Sequence, residues 1–357
     1  MKLGLVSTEA PSWSGGIASH LEGLGNALRH RGIHLESVRG FGVVALARFH
    51  PFQFIPTYLM ALKCLRHVDV IHSHDARLVT VGKRLGIPIV TTFHGYLPEE
   101  TQMRGARHAS IELCKDFVYA CVQDSDAIIA VDTRIANWLW GNYGASGIHV
   151  IPNGVDPEIF HPESGYEVAI ETGFHGETRL QEVSGSPNFN ESSGSKSPQI
   201  LFAKGLSPKN GASVAVAAMP LVRREFPEAD LFMATGQVPH AQMPDLIRQA
   251  DIVIIPSVPV AGVEEATSIL ALEAMASEKC VVASNIGGLR EIIEHDRTGV
   301  LVPPGDPEVL AEEIIEALRD EGRRRRLGRN ARAHVLANHT WAKVADKTVR
   351  VYEDLLK

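Results

Sequence analysis

Stretches with the pattern of β-strands alternate with helical stretches along almost the whole chain. In the first half, predicted strands lie near residues 3–6, 35–38, 68–72, 89–92, 127–131 and 148–151. In the second half, they lie near residues 200–203, 230–234, 252–256, 281–284 and 299–302. Strands that are separated by helices are typical of parallel sheets in α/β proteins. The sequence therefore predicts a doubly wound, parallel α/β architecture.

Two domains are predicted because 357 residues are too many for a single ordinary hydrophobic core. The alternation stops at residues 163–198, which have the composition of a linker or loop. We predict a first domain at 1–160, an irregular linker at 161–199, a second domain at 200–339 and a final helix at 340–357. Ligands of such sheets bind beyond the carboxyl ends of the strands. A cleft between two such domains is therefore the expected place of a site.

Two carboxylates, Glu265 and Glu273, flank a segment that is suited to a buried helix. Thr267 and Ser268 fit the start of that helix, and the residues that follow are almost all apolar. Glu273 comes about a turn and a half after Ser268. Because a buried carboxylate without a partner is costly, we expect Glu273 to accept hydrogen bonds from a polar group that enters a cleft.

Glycines and histidines follow several predicted strands of the first half. Gly15-Gly16 precedes a helix, where the backbone N–H groups can approach an anion. His20 comes one helical turn later and is interpreted, by itself, as a surface residue. His72 and His74 share one face of a strand end, so metal binding is conceivable, but no third ligand has a supportive spacing. His94 ends the next predicted strand and is expected to point toward the cleft.

Composition excludes several classes of protein. The net charge of −7 argues against general nucleic-acid binding. The four cysteines have no CxxC or metal-ligand spacing, which favours reduced thiols and a cytoplasmic location. No apolar run approaches the roughly 18 residues of a membrane-spanning helix. Residues 1–6 have the pattern of a first strand rather than of a signal peptide.

Two stretches leave alternatives open. The aromatic-rich residues 41–62 are interpreted as core or cleft wall. The alternative is a lipid-facing surface, which would place the protein peripherally at the inner face of the membrane. The basic run Arg323–Arg326 is interpreted as the solvated face of a helix, with an RNA-binding or anionic-lipid-binding patch as the alternative.

An ordered set of motifs gives the chain a family resemblance. The motifs are Gly15-Gly16, Ile71-His-Ser-His, Thr92-Phe-His-Gly, Val150-Ile-Pro-Asn-Gly-Val-Asp-Pro, Pro256-Ser, Glu265 to Glu273, Gly287-Gly-Leu-Arg-Glu291 and Thr298-Gly-Val-Leu-Val-Pro-Pro-Gly-Asp. In this order they resemble the retaining GT-B glycosyltransferases of family GT4. The resemblance implies two Rossmann-like domains that face each other across a cleft, with the acceptor on the first and the donor on the second. It also implies that the helix at 340–357 crosses back onto the first domain.

The resemblance assigns the donor site. The donor diphosphate is expected beside Thr267, Ser268 and Ile269, where backbone N–H groups and hydroxyls would donate to it. Glu273 would accept from the ribose hydroxyls, and Glu265 would contact hydroxyls of the donor sugar.

The same resemblance assigns the first domain. Gly15-Gly16 would close over the phosphates, and His94 would contact the sugar near the reacting carbon. His20 and His74 are placed in the acceptor cleft. The implied reaction is a same-face substitution in which the diphosphate leaves and helps to deprotonate the acceptor hydroxyl. No cofactor and no essential metal are expected. The expected partners are a nucleotide-diphosphate sugar and a sugar, lipid or small-metabolite acceptor, and no nucleic acid.

One departure from the family pattern concerns the clamp on the diphosphate. The family has an Arg and a Lys, whereas Lys204 and Lys209 are each one residue out of register here. We take Lys204, together with His94 and Glu265, as a candidate catalytic residue, and Lys209 as a donor-binding residue. A lysine would act as a point charge without the fork of an arginine. The alternative hypothesis is therefore a catalytically weak homologue that binds nucleotide sugar or acts as a scaffold; a GT-B epimerase or a phosphorylase is a more distant one.

Overall fold

The computed structural model describes residues 1–8, 16–39, 54–162, 197–235 and 238–357. The chain forms two compact units. Unit 1 contains Met1–Gly154, Ala261–Thr267 and Trp341–Lys357, and unit 2 contains Val155–Val260 and Ser268–Thr340. Residues 163–196 of the predicted linker, residues 41–53 of the aromatic-rich stretch, and Gly15 lie outside the described residues.

Unit 1 is built on a six-stranded parallel sheet with the strand order β2-β1-β3-β4-β5-β6. Its strands are β1 (Lys2–Ser7), β2 (His34–Arg39), β3 (Val70–Ser73), β4 (Ile89–Phe93), β5 (Ala127–Ala130) and β6 (His149–Val150). Its helices are α1 (Gly16–His30), α2 (Ile55–Cys64), α3 (Thr80–Leu85), α4 (Leu97–Met103), α5 (His108–Asp124), α6 (Thr133–Tyr143) and α13 (Trp341–Leu355). Every residue of β3 and β4 is buried, as expected for a parallel sheet that is covered on both faces.

Unit 2 is built on a five-stranded parallel sheet with the order β11-β10-β9-β7-β8. Its strands are β7 (Gln199–Phe202), β8 (Asp230–Met233), β9 (Ile252–Ile255), β10 (Cys280–Ser284) and β11 (Val300–Val302). Its helices are α7 (Ala212–Glu225), α8 (Met243–Gln249), α9 (Ile269–Ala276), α10 (Leu289–Ile292), α11 (Pro307–Arg319) and α12 (Glu321–Asn338). The alternation read from the sequence is thus confirmed strand by strand.

The last helix, α13, is an integral part of unit 1. The side chain of Tyr352 is fully buried, and its hydroxyl lies 2.5 Å from Nδ1 of His72 at the end of β3. Arg31, just after α1, donates to the carboxylate of Asp346 and to the carbonyl of Ala342. Side chains of α13 therefore complete the core of this unit.

The short segment Ala261–Thr267 belongs to unit 1, although the sequence placed it in the second domain. Val263 and Ala266 pack into the core of unit 1, and Glu264 forms an ion pair with Arg134 on α6. These tertiary contacts cannot be seen in a local sequence pattern. The chain therefore passes from unit 1 to unit 2 between Thr267 and Ser268.

The basic run on α12 is only partly a solvated face. Arg323 pairs with Asp296 and Glu313, and Arg324 donates to the carbonyl of Ala317. These two arginines therefore hold parts of unit 2 together. Among the described residues, no helix is both long enough and apolar enough to cross a membrane.

Candidate active site

Four histidines of unit 1 come together near the carboxyl ends of β3 and β4. His72 and His74 lie on and just after β3, His94 directly follows β4, and His20 lies on α1. The ring centroids of His20 and His94 are 4.6 Å apart, and those of His20 and His74 are 5.1 Å apart. His20 is only 3% exposed, so its interpretation as a surface residue was wrong. The face of α1 that carries His20 also carries buried residues such as Leu24 and Leu28, and it packs into the unit.

The tautomer of His20 is fixed by a chain of hydrogen bonds. The amide of Asn153 donates to the carbonyl of Thr267 at 2.7 Å, so its oxygen faces Nδ1 of His20 at 2.8 Å. Nδ1 must therefore carry the proton, and Nε2 has a free lone pair. That Nε2 atom is buried and has no protein partner. Asn153 was read from the sequence as part of a turn, but it orients a site residue.

His72 and His74 have different roles. His72 is bonded at both nitrogens, to the hydroxyl of Tyr352 and, at 2.7 Å, to that of Thr92. It therefore ties α13 to β3 and β4 and offers no free lone pair. Nδ1 of His74 lies 2.9 Å from Nε2 of His94, and one of these two nitrogens donates a hydrogen bond to the other. Nε2 of His74 is buried without a protein partner.

Three of these histidines could hold a metal ion. The nearest ring nitrogens of His20, His74 and His94 all lie within 4.8 Å of one another. The sequence had offered His72 and His74 as a pair without a third ligand. In the structure, the residues that lie close enough to share a metal ion are His20, His74 and His94, and His72 is not among them. The sheet order and the packing of α1 bring these distant residues together. A ring nitrogen with a lone pair can equally accept a hydrogen bond from a hydroxyl group.

Burial keeps these imidazoles neutral. It lowers the pKa of His20 to about 4, against a smaller opposing effect of Asn153, and it lowers the pKa of His72 to about 3. The pKa values of His74 and His94 are also well below the usual value, mainly through burial and then through the neighbouring histidines. At neutral pH the cluster therefore presents lone pairs and N–H donors rather than charge.

The folding stability of the protein should begin to fall at mildly acidic pH. The unfolded chain binds protons at these histidines near pH 6.5, whereas folded His20 and His72 bind them only near pH 4 and 3. Stability should therefore fall as the pH drops below about 6.5, on the order of 1.4 kcal/mol per pH unit for each histidine. Calorimetric Tm values between pH 7.5 and 5 would show this fall. His108→Gln, which changes a histidine with an exposed side chain on α5, should keep the same dependence. A constant Tm over this range would contradict it.

Two of the predicted site residues, Glu265 and Thr267, lie in the segment before α9, which belongs to unit 1. The hydroxyl of Thr267 donates to the carbonyl of Val131. A hydroxyl has one proton, so in this structure Thr267 has none to offer to a phosphate. Glu265 is partly buried in the same segment. Gly16, which was predicted to approach phosphates, is the exposed first residue of α1.

In unit 2, α9 is a wholly apolar helix except for Glu273. Ser268 is its N-cap, without a side-chain capping hydrogen bond, and the backbone is helical from Ile269. Glu273 is 4% exposed, and one carboxylate oxygen lies 2.7 Å from Nε2 of His240. Burial raises the pKa of the Glu273 carboxyl, and His240 acts in the opposite direction. The buried carboxylate predicted from the sequence is confirmed, but its partner in this structure is His240, which the sequence did not indicate.

The two candidate lysines lie in the connection between β7 and α7. Lys204 comes two residues after β7, and Lys209 lies in a short 3-10 turn, Pro208–Asn210. The carbonyl of Lys209 accepts from the N–H of Val258 at 2.8 Å, just after β9. Gly211 follows with φ of +75°, and a Cβ there would overlap the backbone of Pro256. The connection is thus held against the carboxyl end of β9.

Known proteins match the chain in both units. The model of Glycosyltransferase Family 4 matches residues 14–159, and that of Glycosyl transferases group 1 matches residues 232–334. The D-inositol 3-phosphate glycosyltransferase of Xylanimonas cellulosilytica is 31% identical over 332 residues, which cover 81% of this chain and 72% of that protein.

Solved structures share the fold. Sucrose-phosphate synthase from Thermosynechococcus elongatus has a TM-score of 0.76 at 20% identity, with 99% of this chain and 98% of that chain covered. The Anabaena protein HepE, crystallised with UDP and glucose, has a TM-score of 0.67 at 15% identity, with 99% and 100% covered. The fold is therefore of the GT-B class. With the family matches in both units, the chain belongs to the group 1, family 4 glycosyltransferases and is a glycosyltransferase.

Proposed function

We propose that this glycosyltransferase moves a sugar from a nucleotide-diphosphate sugar to an acceptor hydroxyl with retention of the anomeric configuration. The observation that carries the proposal is Glu273, a carboxylate buried in the apolar helix α9 about a turn and a half from its start. An ionised carboxylate only accepts hydrogen bonds, which suits the hydroxyls of a ribose. A purely structural helix would gain nothing from such a group.

The donor diphosphate is assigned to the start of α9. The N–H groups of the first helical turn, from Ser268 and Ile269 onward, have no partner within the helix and favour an anion. Lys204 and Lys209 would add positive charge from the β7–α7 connection. UDP is the nucleotide to test first, because the HepE structure contains UDP and glucose.

The acceptor is assigned to the histidines of unit 1. The buried Nε2 atoms of His20 and His74 lack a protein partner, and a buried polar atom without a hydrogen-bond partner is costly. Hydroxyl groups of a polyhydroxylated acceptor would satisfy both. The name of the 31% identical relative, a D-inositol 3-phosphate glycosyltransferase, fits an acceptor of this kind. His94 remains the candidate for contact with the transferred sugar, and Glu265 for its hydroxyls.

The proposed step is a same-face substitution. The bond between the anomeric carbon and the diphosphate oxygen breaks, and the bond to the acceptor oxygen forms on the same face. The proton of the acceptor hydroxyl passes to the leaving diphosphate. The lysines and the start of α9 would stabilise the negative charge of the leaving group, so we propose that no metal ion is required.

Transfer assays test the proposal. We expect release of nucleoside diphosphate from one member of a nucleotide-sugar panel, dependent on an acceptor, and an NMR spectrum of the product with the anomeric configuration of the donor. Glu265→Ala should lower turnover by at least about 100-fold, the scale of losing a key transition-state contact. Glu273→Ala should lower kcat/KM, mainly by raising the KM of the donor. Glu308→Ala, at an exposed position of α11, should do neither. Binding of nucleotide without turnover across the whole panel would favour the scaffold hypothesis, and an inverted product would exclude retention.

A further inference from the structure

His240 lies in the connection between β8 and α8. That connection is short: β8 ends at Met233 and α8 begins at Met243. His240 begins a 3-10 turn, His240–Gln242, immediately before α8. Its ring lies 5.5 Å from that of Phe160, centroid to centroid, and its Nε2 lies 2.7 Å from a carboxylate oxygen of Glu273. Its side chain is 38% exposed, whereas that of Glu273 is 5% exposed.

The elements that pack around Glu273 supply few other charged partners for its carboxyl. Helix α9 packs against α8, α12, β9 and β10. Asp245 and Arg248 on α8 pair with each other, and Arg332 on α12 donates to the backbone carbonyls of Phe160 and Ala276. The strands β9 and β10 have no charged residue. Within the described part of the chain, His240 is thus the titratable group whose interaction with the Glu273 carboxyl opposes the effect of burial.

The state of this carboxyl decides what it can bind. As a carboxylate it accepts hydrogen bonds at both oxygens, whereas the protonated form has one oxygen occupied by a proton. Two ribose hydroxyls are best met by the ionised form. Burial alone would favour the neutral form, and a positive or N–H-donating neighbour favours the ionised one.

We propose that His240 is a positioning residue for donor recognition, which holds Glu273 ionised and oriented so that its carboxylate accepts hydrogen bonds from the ribose hydroxyls of the nucleotide. This inference rests on the proposed function. One carboxylate oxygen is held by the imidazole, and the second would accept hydrogen bonds from the ligand. Because His240 itself is not assigned to the reacting atoms, its effect should appear in nucleotide affinity rather than in the chemical step.

The test compares two ligands that differ only in the ribose hydroxyls. The ratio of Kd values for 2′,3′-dideoxy-UDP and UDP, measured by calorimetry, reports the contact with the hydroxyls. We expect a ratio of about 10 or more for the unchanged protein, the scale of one or two hydrogen bonds to a charged group. Glu273→Gln should bring the ratio close to 1. His240→Leu should also lower it at pH 7, with the ratio recovering at higher pH as Glu273 ionises. His240→Gln retains an N–H donor and should keep an intermediate ratio.

Different results would overturn the ribose contact of Glu273 and the positioning role of His240. If Glu273→Gln keeps the ratio of the unchanged protein, the ribose assignment in the proposed function is wrong, and the role of His240 falls with it. If Glu273→Gln lowers the ratio but His240→Leu leaves it unchanged at every pH, only the inference about His240 is overturned. A drop in His240→Leu that does not recover with pH would also contradict it. Equal Tm values of the variants would show that they fold, and His108→Gln in unit 1 serves as the control with an unchanged ratio.

Discussion

Gly211→Ala should destabilise unit 2 more than any exposed substitution. The backbone of Gly211 has φ of +75°, and an added Cβ would overlap the carbonyl group of Pro256. The neighbour is backbone at the end of β9 and cannot rotate away as a side chain would. A left-handed conformation and an overpacked contact each cost roughly 1–3 kcal/mol, so we expect a loss of about 2–6 kcal/mol. Thermal and urea unfolding of the variant would measure it.

Gly205→Ala is the matched control, because Gly205 lies in the same β7–α7 connection with open space around its Cα. It should change Tm little. The Gly211 variant should also bind nucleotide more weakly, since the carbonyl of Lys209 is bonded to Val258 in the same contact. Equal stability of the two variants would show that the connection can move away from β9, which contradicts the tight packing described above.

Zn²⁺ at micromolar concentration should inhibit the enzyme by more than tenfold, whereas EDTA should leave its activity unchanged. The neutral imidazoles of His20, His74 and His94 offer nitrogen ligands within 4.8 Å of one another. Tetrahedral zinc with Zn–N bonds of about 2.0–2.1 Å holds its ligand atoms roughly 3.3 Å apart, so small ring movements would close the site. Bound zinc would occupy the lone pairs that we assign to acceptor hydroxyls. Initial rates at increasing Zn²⁺ concentration would measure the inhibition.

Controls separate Zn²⁺ binding at the histidines from other causes of inhibition. Mg²⁺ should not inhibit through the histidines, because it prefers oxygen ligands. Cys64→Ser, which removes an exposed thiol, should leave the inhibition unchanged, and His20→Gln should weaken it. Loss of activity with EDTA would contradict the proposal of a metal-independent reaction. Activity that is indifferent to Zn²⁺ would contradict the prediction that His20, His74 and His94 can rearrange to ligate a metal ion.

The strands were predictable because their signal is local. A strand such as Ile252–Ile255 is a continuous apolar run that is buried on both faces. The helix α9 was predictable for the same reason, and so was the burial of Glu273 inside it. The sheet order was not specified by such runs, since β3 lies between β1 and β4 only through tertiary packing. That order brings the histidines of unit 1 together.

The partners of the site residues lay beyond the sequence pattern. His240 precedes Glu273 by 33 residues and lies in a short turn with no motif of its own. Asn153 and His20 are 133 residues apart, and His72 and Tyr352 are 280 residues apart. Periodicity reports which face of an element is buried, but not which other element covers it. His20 shows this limit, because a histidine on a helix face can be read as solvated until its neighbours are known.

The division of unit 1 into three chain segments has a consequence for how the protein is made. The first 154 residues leave the ribosome long before Trp341–Lys357, which supplies the buried Tyr352. At about 5–20 residues per second, roughly 10–40 s pass between the two events. During this interval the nascent unit 1 lacks α13, and His72 lacks the hydroxyl at its Nδ1. Unit 2 ends at Thr340, immediately before α13, so we expect both units to mature only when the chain has been made as far as α13.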